Sequence, residues 1–120
     1  RAVGYNGFPR GVDDTVERRH QRPEKYAYTE HAERNAIYNA SYTGTSLDGC
    51  ALYVTHFPCC DCARAIIQAG IAEVFVDKSK LTDDFLERWE QDMKISTEMF
   101  EESGVAVQVI DEEGATEPLK

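Results

Sequence analysis

The sequence predicts an α/β domain, one sheet with helices on its faces. Three observations carry this. Three runs are apolar and rich in β-branched residues: Ala51-Leu52-Tyr53-Val54-Thr55, Ala72-Glu73-Val74-Phe75-Val76, and Val105 to Ile110. Runs of this kind suit buried strands. The segments between them have helical periodicity, and each of these segments ends on a glycine, Gly70 or Gly104. A strand, a helix and a strand in close order imply parallel neighbours joined by right-handed crossovers. Helices then lie on the faces of the sheet.

In chain order, Ala2-Val3-Gly4-Tyr5 is short and apolar and reads as the end of a strand. Asn6-Gly7-Phe8-Pro9-Arg10-Gly11 is dense in turn residues, so the chain leaves the strand there. Residues 12–28 are polar and charged, with a proline at 23. They read as a long loop with one helical turn, and loops this long are uncommon unless functional. From His31 to Tyr42 the pattern is helical, because Ala32, Ala36, Ile37 and Ala40 fall on one face. Gly44 ends that helix. After the first buried strand, Pro58 is the stop. Cys59 to Ala69 reads as a second helix, with Ala63, Ile66 and Ile67 inward and Gly70 at its C-terminus. Residues 83–103 form the longest helix, with Phe85, Trp89, Met93, Ser96 and Phe100 on one side and charges on the other. Val105 to Ile110 is the last strand, parallel by the same logic. Residues 1–110 thus read as one domain, and 111–120 as an acidic tail expected to fray. Trp89 reads as core or subunit-interface packing, Cys50 as a buried strand-end residue, and Tyr26 and Tyr28 as structural.

Composition narrows the function. The 120 residues carry 13 Lys+Arg against 22 Asp+Glu, a formal charge of −9. That balance is poor for gripping a long polyanion, which draws on clustered Lys and Arg, so no polynucleotide partner is expected. No run approaches the ~20 apolar residues of a membrane helix, so no membrane partner is expected. No basic start precedes an apolar core, as a secretory signal requires, and a cytoplasmic location is the expectation. Three of four cysteines fall at 59, 60 and 62. Such clustering suits a metal or a redox pair better than two disulfides.

Two segments stand out: His31-Ala32-Glu33 and Pro58-Cys59-Cys60-Asp61-Cys62, each opening a predicted helix. Cys59 and Cys62 are three apart, so both thiols lie on one face of a turn. A helix N-terminus favours the thiolate that a metal needs. One imidazole, from His31, and two thiolates form a donor set that suits zinc. Three protein ligands leave a fourth position for water, the mark of a catalytic rather than a structural site. Zinc lowers the pKa of such a water to about 7. Glu33 then stands beside the water as a proton shuttle rather than a ligand. The pattern H-x-E…P-C-x-x-C is a known signature of zinc deaminases. Two blander readings stay open at this stage. In one, the histidine and cysteines are ordinary structural residues. In the other, a fourth ligand from His56, Cys60 or His20 closes a structural zinc site, although Cys60 follows Cys59 directly and should point about 100° away.

Three blocks resemble the deoxycytidylate (dCMP) deaminase family of the cytidine deaminase superfamily. They are Gly4-Tyr5-Asn6-Gly7-Phe8-Pro9-Arg10-Gly11 with Asp13-Asp14, His31-Ala32-Glu33-Arg34-Asn35-Ala36-Ile37, and Thr55-His56-Phe57-Pro58-Cys59-Cys60-Asp61-Cys62-Ala63. The similarity runs from about residue 3 to 77. The zinc motifs are shared across the superfamily, and the first block points to dCMP. The resemblance implies a three-layer α/β/α fold with a mixed sheet and parallel last strands. A complete member has a helix and a strand before the first block, and these are expected to lie outside this sequence.

The resemblance also implies roles. His31, Cys59 and Cys62 bind zinc. Glu33 protonates N3 of the cytosine ring and then the departing amine, while zinc-activated water attacks C4. Asn6 contacts the sugar or base, the backbone N–H of Ala32 the base carbonyl, and Phe57 walls the base. Arg10 is the candidate for the 5′-phosphate, beside glycines that let backbone N–H groups approach an anion. A homo-oligomer, hexamer or dimer, and a dCTP or dTTP effector follow from the resemblance as well. The competing functions are a deaminase of another nucleoside or base such as guanine or cytidine, a tRNA adenosine deaminase, and a zinc-stabilised interaction module. The −9 charge speaks against a tRNA partner.

Overall fold

The computed structural model describes residues 2–118. The chain forms two compact units, Arg1–Thr45 and Ser46–Lys120. The division falls inside the span that the sequence presents as one domain. No helix among the described residues is long and apolar enough to cross a membrane.

The first unit is built on helices. A 3₁₀ turn spans Glu17–His20. Helix α1 is Glu24–Tyr28 and α2 is Ala32–Tyr42. The expected loop with one helical turn therefore holds two. Helix α2 buries Ala36 and Ala40, four residues apart and so on one face. It ends where Gly44 takes φ +74 and Thr45 N–H donates to Ala40 O at 2.8 Å. The strand end expected at residues 2–5 is absent. Its carbonyls go instead to side-chain amides of α2: Asn39 Nδ2 donates to Val3 O at 2.8 Å and Asn35 Nδ2 to Tyr5 O at 2.6 Å. The extended pairing in this unit among the described residues is the bridge of Gly7 with Glu30.

The second unit is a four-stranded sheet in the order β1-β2-β3-β4, with β1 Ala51–Val54, β2 Glu73–Asp77, β3 Ala106–Ile110 and β4 Thr116–Pro118. The first three strands are parallel, as their connection through helices requires. Helix α3 is Cys60–Gln68 and α4 is Asp83–Ser103. Register places Leu52, Val74 and Val107 in one row and Val54, Val76 and Val109 in the next row of the same face. Val74 and Val76 are fully buried there. On the opposite face Tyr53 stacks on Phe75, with ring centroids 4.8 Å apart. Helix α3 buries Cys62, Ala63 and Ile66. Helix α4 matches the expected range and opens with Thr82 Oγ1 accepting from Phe85 N–H at 3.2 Å.

Trp89 is 45% exposed on the single chain and rests against half-buried Phe85. Two details differ from the sequence reading. Cys50 is half-buried rather than buried. Part of the acidic tail is a strand: Asp111 Oδ1 accepts from the N–H groups of Glu113 and Ala115, both at 2.9 Å. That turn lays β4 antiparallel on β3.

Candidate active site

In the first unit, the start of α2 gathers four of the expected residues. His31 is the N-cap, with φ −68 and ψ 152, so its backbone is extended while its carbonyl accepts the first helical bond from Asn35 N–H at 2.9 Å. The imidazole makes no cap hydrogen bond. Capping falls to Asn6, whose Oδ1 accepts from Ala32 N–H at 2.7 Å. Asn6 and Ala32, expected to touch substrate separately, are thus bonded to each other. Glu33 lies in the first turn, where a carboxylate is favoured by the helix dipole. Glu30, just before His31, is held on both sides. Its backbone pairs with Gly7 at 2.8 and 3.2 Å, and its carboxylate pairs with Arg34.

Sequence reasoning missed the clamp behind this arrangement. Asn35 Nδ2 donates to Tyr5 O at 2.6 Å and lies 3.4 Å from Glu30 O. Asn39 repeats the contact two turns from the start of the helix, at Val3 O. Between them the backbone of Gly4 runs directly over α2: a Cβ there would lie 2.3 Å from Ala36 N and 2.4 Å from Ala32 O. Two asparagines four apart on one helix face were the available signal, alongside a glycine in the facing segment.

Arg10 is not at the start of α2. It donates to Asn39 Oδ1 and its guanidinium stacks 4.2 Å over the Tyr42 ring. Asn39 is about 10 Å along the helix from Ala32 at 1.5 Å per residue. The loop of residues 12–28 is ordered by its own cluster. Phe8 stacks on His20 at 4.8 Å and tilts against Tyr28 at 5.6 Å, and Arg19 lies 4.6 Å over Tyr28. His20 Nε2 donates to Asp14 O at 2.6 Å.

In the second unit, Cys59 is the N-cap of α3 and Cys62 lies in its first turn. The four cysteines are thiols rather than disulfides. Cys62 is fully buried. Cys60, between them, is turned onto α4: its S–H donates to Asp92 Oδ1 at 2.9 Å and its N–H to Asp92 Oδ2 at 3.3 Å. Burial and the Asp92 carboxylate push the Cys60 thiol up, which keeps it protonated. Phe57, expected to wall a base, is 5% exposed and packs edge-on against Phe100 at 6.3 Å. His56 meets Thr55 Oγ1 through Nδ1 at 3.2 Å and tilts onto Phe85 at 5.7 Å.

Residues 2–78 match the family described as "Cytidine and deoxycytidylate deaminase zinc-binding region". The chain belongs to this family. The match takes in both helix starts and makes zinc the family's metal. An uncharacterized deaminase of the luxG 3′ region of Aliivibrio fischeri is 45% identical over 106 residues, which cover 88% of this chain and 68% of that protein. Human deoxycytidylate deaminase is 45% identical over 86 residues, covering 68% of this chain and 47% of that protein. The chain thus spans about half the length of that relative. The dCMP deaminase of cyanophage S-TIM5, solved in complex with dCMP and dUMP, matches with a TM-score of 0.61 at 29% identity, over 89% of this chain and 70% of that one. The α/β fold expected from the motifs, with its parallel strands, is the fold of these deaminases.

Proposed function

We propose that this chain carries out zinc-dependent hydrolytic deamination of a free pyrimidine nucleotide, converting dCMP and water to dUMP and ammonia. One observation carries the reading: the family's two zinc motifs each open a helix, His31 and Glu33 on α2 and Cys59 and Cys62 on α3. The donor set fits zinc, with one imidazole and two thiols borne on helix starts whose N–H dipoles favour thiolates. The candidate fourth ligands have other partners. The Cys60 thiol is taken by Asp92, while His20 and His56 each engage one ring nitrogen, on Asp14 O and Thr55, and keep the other. The Cys60 bond favours an open fourth position over a site closed by a third thiolate.

Bound at His31, Cys59 and Cys62, zinc supplies a Lewis acid that lowers the pKa of water to about 7. Glu33 takes the proton of the attacking water and gives it to N3 of the ring. As the water oxygen bonds to C4, the C4=N3 double bond opens and its electron pair takes that proton at N3; the exocyclic C4–N4 bond breaks afterwards, as the C4=O carbonyl forms. Glu33 carries the second proton to the amine, which leaves as ammonia. Asn6 holds the Ala32 N–H in the substrate-free chain; with substrate bound, Asn6 turns to the sugar or base and releases that N–H to the base carbonyl. Arg10, stacked on Tyr42, offers a cation to the 5′-phosphate. Phe57 backs the base pocket from the core of its unit. Leu86, Trp89 and Ile95 leave apolar surface on α4, which suits a homo-oligomer, and the family resemblance adds a dCTP or dTTP effector.

Ammonia release from dCMP, CMP, deoxycytidine, cytosine, guanine and adenosine tests this reading. The expected result is greatest kcat/KM on dCMP and loss of most of it on deoxycytidine, which lacks the phosphate. Greatest turnover on guanine or adenosine would replace the pyrimidine nucleotide reading with a purine one.

A further inference from the structure

We propose that Asp92, on α4, is a positioning residue for the zinc thiolates of Cys59 and Cys62. The inference rests on the zinc reading above and assigns a residue outside both motifs. The first amides of any helix lack intrahelical acceptors. In α3 the N-cap is Cys59, which makes no side-chain cap bond. The orphaned amide of Cys60 is met by Asp92 Oδ2, at 3.3 Å. The other oxygen of that carboxylate accepts the Cys60 S–H at 2.9 Å. One turn further along α4, the Ser96 hydroxyl, on a fully buried residue, lies 3.9 Å from the same sulfur.

One carboxylate therefore grips both the backbone and the side chain of the residue between the two thiols. It does so from a 21-residue helix capped at both ends by Thr82 and Gly104. The consequence is directional. Cys59 precedes the gripped residue and Cys62 follows it by two, so fixing Cys60 fixes the turn that aims both sulfurs. Hydrogen bonds that orient metal ligands from outside are worth 10–100-fold in metal affinity.

The test is zinc affinity of the full chain, measured by competition with a chromogenic chelator, with thermal unfolding of the metal-free protein alongside. Asp92→Ala should weaken zinc binding by ~10-fold or more. Asp92→Asn keeps the size and one acceptor oxygen, and should weaken it less. Should Asp92→Ala fail to fold, Asp92→Asn decides. Affinities within twofold of wild type in the folded variants overturn the proposal, even if Tm falls, because a merely structural role lowers Tm and leaves the metal alone. A wild-type chain that takes no zinc overturns the underlying zinc reading and this proposal together. Tight zinc in wild type and variants alike overturns this proposal only.

Discussion

Glu33→Gln keeps its zinc and loses ~10²–10⁴ in kcat/KM, the range for removing a general acid–base group. The substitution preserves size and shape, so the start of α2 should be undisturbed. Ala32 N–H would still be held by Asn6, and Glu30 by Gly7. What disappears is a group able to take a proton from water and return it to N3 and to the leaving amine. Glutamine can do neither. Steady-state deamination of dCMP and metal analysis on the same sample check this. Zinc at the wild-type level with activity lost is the expected pair. Wild-type activity in Glu33→Gln would remove Glu33 from the chemistry and make the first-turn acid a helix-dipole partner alone.

Gly4→Ala should be the most damaging single methyl in the first unit. The added Cβ would lie 2.3 Å from Ala36 N and 2.4 Å from Ala32 O. Both are helix backbone atoms, so no rotamer change makes room. Either the segment lifts from α2 or the helix shifts. Over-packing of this kind costs about 1–3 kcal/mol, and an encounter with rigid backbone belongs at the upper end. Lifting the segment also stretches the Asn35–Tyr5 and Asn39–Val3 bonds, and with them the reach of Asn6 to Ala32. Denaturant unfolding should show a loss of about 3 kcal/mol, with kcat/KM reduced in the fraction that remains folded. A variant as stable as wild type would mean that residues 3–6 do not lie against α2.

Much of this was legible because the deciding interactions are local. Helix α4 was readable to the residue, from an apolar stripe and a closing glycine. The strands were readable as short β-branched runs and shifted by a residue or so at their ends. Both zinc-motif helices begin one residue later than their patterns suggest, since His31 and Cys59 stand at the cap rather than inside. The missed features depend on partners distant in sequence. Val3 to Tyr5 looks like a strand, but its carbonyls are taken by asparagines 30 and 36 residues away. Asp92 reads as one more solvated acid on α4 until Cys60 is placed against it. Strand β4, Thr-Glu-Pro, has no apolar alternation. It forms because the Asp111 turn returns the chain to β3, and the Asp-x-x-Gly signal at 111–114 was the cue.

The central claim is an open zinc site made by His31, Cys59 and Cys62. X-ray absorption at the zinc edge of the zinc-loaded chain tests it most directly. The expected spectrum shows two sulfurs, one imidazole nitrogen and one further light, non-imidazole ligand, the signature of three protein ligands and a water. A third sulfur or a second imidazole would contradict it, because Cys60, His56 or His20 would then be closing a structural site.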